Sequence, residues 1–145
     1  MSFSCDVIVL LYASDSASPV HLTARRFLET AAAGDDLFCL GWTTVMAYLR
    51  MATHPRIFGA PLTPAEALAN IDGLAGLPHV RLLGEEEGFL DVCREVTAEF
   101  PVRGNLVPDA HLAAILKQHG VRTLFTRDSD FRKFAFLDLR DPFAP

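Results

Sequence analysis

Four aspartates fall where predicted elements begin or end: Asp6, Asp109, Asp128 and Asp130. Val107-Pro108-Asp109 opens an apolar-periodic run (Leu112, Ala113, Ile115, Leu116) that stops at Gly120. Proline in the first turn and glycine just past the end mark a helix, and they set Asp109 at the positive end of its dipole. Arg122–Thr126 reads as a short buried strand, and Asp128-x-Asp130 follows its carboxyl end. Asp6 closes a strand-like run near the other terminus. In open parallel sheets, chemistry collects outside the carboxyl ends of the strands. Singly, Asp109 could serve only as a dipole partner, and Asp128 and Asp130 only as caps of the turn before Phe131. Asp6, between Cys5 and Val7, is harder to dismiss, because a lone buried carboxylate is costly. Together on one sheet edge the acids repel one another unless a cation holds them, which points to a divalent-metal site.

The elements that must position these acids alternate. Ser2–Asp6 reads as a first strand, although Val7–Leu11 has no alternation and Cys5–Tyr12 taken alone fits one long strand. After a turn rich in serine and proline, a helix spans about Val20–Ala33, with Gly34 as its stop. Asp36–Leu40 is a second strand. Gly41–Thr44 starts a helix that runs through Ala52 and is ended by His54-Pro55. Thr63-Pro64-Ala65-Glu66 is a capping box opening a helix to Gly73 or Leu77. His79–Leu83 is a third strand. Glu85–Glu87 reads as the acidic first turn of a helix reaching Phe100. Pro101–Asn105 is a loop, Phe131–Phe134 one helical turn, and Phe136–Leu139 a last, edge strand. With no linker and no repeat, the 145 residues read as one domain, an α/β sandwich around a mostly parallel sheet.

Composition bounds the partners. The net charge of −5 argues against a broad basic surface for nucleic acid, so phosphate attraction must come from metal ions and local cations. Arg50, Arg56, Arg127, Arg132 and Lys133 are the candidates, and each could equally be an ordinary solvated residue. The three cysteines (Cys5, Cys39, Cys93) are odd in number and form no CxxC pair. They suit a reducing cytoplasm and argue against a disulfide framework or a cysteine zinc site. No apolar run approaches the roughly 18 residues of a membrane span, and no basic segment precedes Phe3–Ala13 to suggest a signal peptide. Half the residues are hydrophobic and the mean hydropathy is +0.24, a surplus that calls for an oligomer or partner surface.

Asp6 with Val7–Ala13, Tyr48-Leu49-Arg50-Met51-x-Thr53, Val107–Ala114 and Thr126-x-Asp128-x-Asp130-Phe131 resemble, in the same order, the motifs of a PIN domain. The chain is most similar to the VapC ribonuclease toxins of bacterial toxin–antitoxin pairs. The resemblance implies a three-layer α/β/α sandwich in which Val7–Ala13 is helix rather than strand. It implies that Asp6, Asp109 and Asp128 are metal ligands, with Asp130 a nearby acid acting through water. It further implies a homodimer and a VapB-type antitoxin whose carboxyl-terminal segment lies in an apolar, arginine-bearing groove near the acids. One position departs: the family's usual glutamate, three residues before the arginine, is Ala47 here, with Thr43 and Thr44 a turn earlier.

The chemistry implied is metal-assisted hydrolysis of RNA phosphodiester bonds, with Mg²⁺ or Mn²⁺ favoured over zinc by oxygen-only ligands. Asp6 and Asp109 would hold the ion, and Asp128 and Asp130 would complete the pocket. Thr126 could bind a carboxylate or a phosphate, and Arg50 could anchor the RNA backbone or pair with an acid. His54, His111 and His119 read as structural. Two alternatives remain at this stage. Ala47 favours a PIN-like module that binds antitoxin or RNA without cutting. A haloacid-dehalogenase-type phosphatase is the other, but its DxDx[TV] motif opens the fold, whereas Asp128-x-Asp130 lies late and is followed by Arg132.

Overall fold

The computed structural model describes residues 1–145. Five strands, β1 (Ser2–Cys5), β2 (Leu37–Gly41), β3 (Val80–Leu83), β4 (Thr123–Phe125) and β5 (Asp138–Arg140), form one sheet in the order β3-β2-β1-β4-β5. Every pairing is parallel. Parallel neighbours need crossovers, which are supplied by α1 (Val7–Ser14), α2 (His21–Ala33), α3 (Trp42–Ala52), α4 (Pro64–Ala75), α5 (Phe89–Val96) and α6 (Leu106–Gln118). A 3₁₀ turn (Ser129–Lys133) follows β4.

Strand alternation sorts the interior into two cores. Phe3, Cys5, Phe38, Leu40 and Val80 face α1–α4, while Cys39, Leu83 and Leu124 face α5, α6 and the 3₁₀ turn. Three rings of the first core interlock, with Phe3 stacked on Phe38 at 5.0 Å and edge-on to Phe27 at 6.2 Å. In the second, α6 buries Leu112 through Leu116 consecutively, because sheet, α5 and 3₁₀ turn surround it. Gly41 lets α6 approach β2 closely: a Cβ there would lie 3.0 Å from the Leu112 Cδ1.

Where chain order reverses matters most. The chain starts in the centre at β1, builds outward through β2 and β3, then returns to the other side of β1 as β4 and β5. The crossovers diverge between β1 and β4, leaving a crevice outside the carboxyl ends of those two strands.

Several boundaries differ from expectation. Val7–Ser14 is helix, capped by Asp6. The acidic run Glu85–Glu87 is not a helical first turn; α5 begins at Phe89, after Gly88 with φ +78°, and ends at Val96 rather than Phe100. Gln118 explains the delay. Its amide accepts from the Glu86 N–H at 2.8 Å and donates to the carbonyls of Glu86 and Glu87 at 3.3 and 3.1 Å. Those backbone groups are thereby committed to α6. The last strand is Asp138–Arg140, an edge strand that begins two residues later and ends one residue later than the expected Phe136–Leu139. The other elements match their expected spans to within a few residues, and the capping box at Thr63 and Glu66 forms as read.

Candidate metal centre

The register of the central strands builds the site. Cys5 pairs with Phe125, so Asp6 and Thr126 emerge side by side at the crevice. The Asp6 N–H donates to the Phe125 carbonyl at 3.0 Å, extending the ladder by one bond before α1 begins. One Asp6 oxygen accepts from the Val7 N–H at 2.6 Å, and the other from the Thr126 hydroxyl at 3.0 Å. That hydroxyl in turn accepts from the Asp128 N–H at 3.0 Å, and the Asp128 carboxylate accepts from the Asp130 N–H at 2.9 Å. Thr126 through Asp130 is thus a self-organised turn, in which Thr126 and Asp128 each fix the backbone two residues on. Capping and clustering are one arrangement.

Asp109 comes from the other side of the crevice, in the first turn of α6. Its carboxylate meets those of Asp128 and Asp130, with one oxygen from each lying within 4.8 Å of the others. Asp6 is not in that closest group, because its oxygens are turned to Val7 and Thr126. It is nonetheless close enough to act on Asp109 by charge. Burial, and then the charges of Asp128, Asp6 and Asp130, push the Asp109 pKa from 3.8 to about 6. Burial also raises Asp6, an effect opposed by the bonds from Thr126 and Val7 and reinforced by the charge of Asp128.

No lysine, arginine or histidine forms an ion pair with any of these acids. Mutually repelling carboxylates with no cation of the chain among them, offering only oxygens, fit a hard divalent ion. Each acid also lies at the start of a helical element, whose amino end carries partial positive charge.

The remaining predicted residues divide. Thr126 is buried with its hydroxyl held between Asp6 and Asp128, so of its two roles it takes the carboxylate one. Arg50 is exposed in the last turn of α3 and pairs with no acid. Arg127 is engaged, lying 3.8 Å from Asp141 and over the Phe143 ring at 4.6 Å. His111 binds Glu85, His119 donates to the Gly84 carbonyl at the start of the β3–α5 loop, and His54 accepts from the Arg56 N–H. All three are structural. Ala47 is half-buried on α3, four residues after Thr43. Gln118 went unread in the sequence, and Gly41 reads there only as part of a helix start, not as a close approach to α6. A glutamine facing three glutamates from thirty residues away leaves no local signal, and a glycine before a helix reads only as a cap.

A groove of about 650 Å³ lies on the far side of the turn that carries Asp109. Thr43, Phe89, Phe100, Val107, Pro108 and His111 are among its walls.

No protein-family model matches the chain. It is 46% identical over 144 residues to ribonuclease VapC48 of Mycobacterium tuberculosis, covering 99% of each chain. Among solved structures it is similar to VapBC2 from Rickettsia felis, bound to a DNA fragment from its promoter, with TM-score 0.69 and 13% identity over 97% of this chain and 98% of that one. It is also similar to Mycobacterium tuberculosis VapC20, a sarcin–ricin-loop cleaving toxin, with TM-score 0.67 and 17% identity over 95% and 98% of the two chains.

Proposed function

The chain belongs to the VapC ribonuclease family, and from that premise we propose that it is a toxin endoribonuclease that hydrolyses RNA with Mg²⁺ or Mn²⁺ held by its clustered aspartates. The observation that carries this reading is the meeting of Asp109, Asp128 and Asp130 within 4.8 Å, with Asp6 beside them at the switch point. Asp6, Asp109 and Asp128 would hold the ion, and Asp130 would reach it through water. When bound, the ion supplies positive charge against the phosphate and lowers the pKa of a water.

The chain's own residues do the positioning. The Thr126 hydroxyl sets the Asp6 carboxylate and, by accepting from the Asp128 N–H, the start of the Asp128 turn. Asp130 faces solvent from the 3₁₀ turn and is suited to orient a water. Arg50, without an acidic partner, is suited to contact the RNA backbone.

The whole chain is read as one PIN domain, supported by a single sheet with a core on each face. As in the VapBC pairs named above, a VapB-type antitoxin is the expected partner. A groove of about 510 Å³, lined by Phe3, Phe27, Phe125 and Arg26, has the apolar, arginine-bearing character its segment would need, but none of the four aspartates lines it, whereas the expected groove lies near the acids. A homodimer is supported by large apolar side chains left exposed, among them Leu22, Met46 and Leu68. No helix is long and apolar enough to cross a membrane, and the free cysteines support a cytoplasmic setting.

Ala47 favours a second reading, in which the module binds without cutting. Purified protein with Mn²⁺, assayed on structured RNAs beside Asp6→Asn and Asp128→Asn, separates the two. Cleavage by the wild type that both variants and a chelator abolish supports the nuclease. Intact RNA in every lane leaves the binding module.

A further inference from the structure

The acid-bearing turn after β4 is anchored at both ends and loaded in between. At its start the Thr126 N–H donates to the Arg140 carbonyl at 2.9 Å, and at its end the Phe131 ring is buried. Arg127 through Asp130 are all exposed. Asp128 and Asp130 meet Asp109 across the crevice, so before an ion binds, their mutual repulsion pushes the turn away from α6. The bonds from Thr126 and Asp128 shape the turn without tying its middle to another element.

Arg127 supplies that tie. Its guanidinium lies over the Phe143 ring at 4.6 Å, and its Nε is 3.8 Å from the Asp141 carboxylate. Both partners belong to the segment that follows β5. The same Asp141 oxygen accepts from the Phe143 N–H at 2.8 Å, which sets the ring beneath the guanidinium. Phe143 also meets Tyr12 edge-on at 5.5 Å, on α1, the helix that Asp6 caps. The grip on Arg127 is therefore seated on the element that follows Asp6. The ion pair of Arg127 is with Asp141 and not with an acid of the site, so its part is to hold position rather than to neutralise charge.

We propose that Asp141 and Phe143 form a clip on the Arg127 side chain, and that Arg127 is thereby a positioning residue holding Asp128 and Asp130 where they meet Asp109. The consequence for the site rests on the metal-ion reading of the acids; the contact itself does not. A clip cannot improve metal binding by more than its own strength, which for one exposed cation–π contact is roughly threefold in affinity. Calorimetry of the full chain should show Mn²⁺ bound roughly threefold more weakly by Arg127→Ala and by Phe143→Ala. The double variant should bind no more weakly than either, because both changes remove one contact. Phe143→Tyr, which keeps the ring, should restore wild-type affinity. Trypsin reads the clip without metal, since Arg127 must leave the ring to enter the protease. Cleavage after Arg127 should be several-fold faster in Phe143→Ala than in the wild type or Phe143→Tyr, with the rate after the exposed Arg56 unchanged.

Equal Mn²⁺ affinity in the wild type and Arg127→Ala overturns the positioning role, and so does a double variant weakened by the product of the two single losses. A lower melting temperature with unchanged affinity overturns it too, because the segment then only packs. If the wild type binds no Mn²⁺, the metal reading fails and trypsin decides the clip. Equal cleavage after Arg127 in the wild type and Phe143→Ala then overturns it, and faster cleavage in the variant upholds it.

Discussion

Asp109→Asn should make the metal-free protein more stable, although it removes a residue the site needs. In the folded chain burial and three neighbouring carboxylates raise the Asp109 pKa to about 6, against 3.8 for the free side chain. Ionised at neutral pH, Asp109 therefore opposes folding. Two pKa units correspond to a ceiling of about 3 kcal/mol. Asp109 is only half-buried, so solvent screening reduces this to about 1 kcal/mol, or about 4 °C in the melting temperature of a chain this size. The sign with pH follows from the direction of the shift. A carboxylate whose folded pKa exceeds its unfolded one contributes stability below pH 3.8, and that contribution is lost as pH rises through about 6. Thermal melts in chelator should show the wild type losing stability between about pH 4.5 and about pH 7.5, and Asp109→Asn losing less. Adding Mn²⁺ at about 100 times its dissociation constant should return about 2.7 kcal/mol to the wild type and much less to the variant. The reasoning is refuted if metal-free Asp109→Asn melts below the wild type at about pH 7.5 with an unchanged pH slope.

Two further substitutions probe the support around the acids. Thr126→Val keeps the shape but removes a donor to Asp6 and an acceptor for the Asp128 N–H, both part-buried. Denaturant unfolding should show a loss of about 1–3 kcal/mol, RNA cleavage should fall, and Thr126→Ser should recover both. Ala47→Glu restores a carboxylate at the family's usual position, on a helix that packs against α6. Calorimetry should show Mn²⁺ bound roughly tenfold more tightly, the scale on which supporting carboxylates tune metal sites. Equal affinity would mean that Ala47 does not face the ion.

Where local chemistry is sufficient, the chain is legible in one dimension. Thr63 and Glu66 form their capping box because both partners lie within one turn, and no distant group competes. The Thr126-x-Asp128-x-Asp130 turn is likewise closed by bonds two residues apart. The α5 boundary was not legible, because Gln118 on α6 holds Glu86 and Glu87. Nor was Val7–Ser14 by pattern alone. An unbroken apolar run suits a strand or a helix buried against a sheet, and only the resemblance separated them.

By itself the sequence determined which residues carry charge at element ends, and that strands alternating with helices must form a parallel sheet. It did not determine which strands lie side by side. That Asp6 bonds Thr126, 120 residues away, follows from β4 pairing with β1 in the register Cys5 to Phe125. That Asp109 rather than Asp6 closes on Asp128 and Asp130 follows from how α6 packs and from the two donors that turn Asp6 aside. Distances of a few ångströms set repulsion between carboxylates, and such distances exist only once both cores have closed around the sheet.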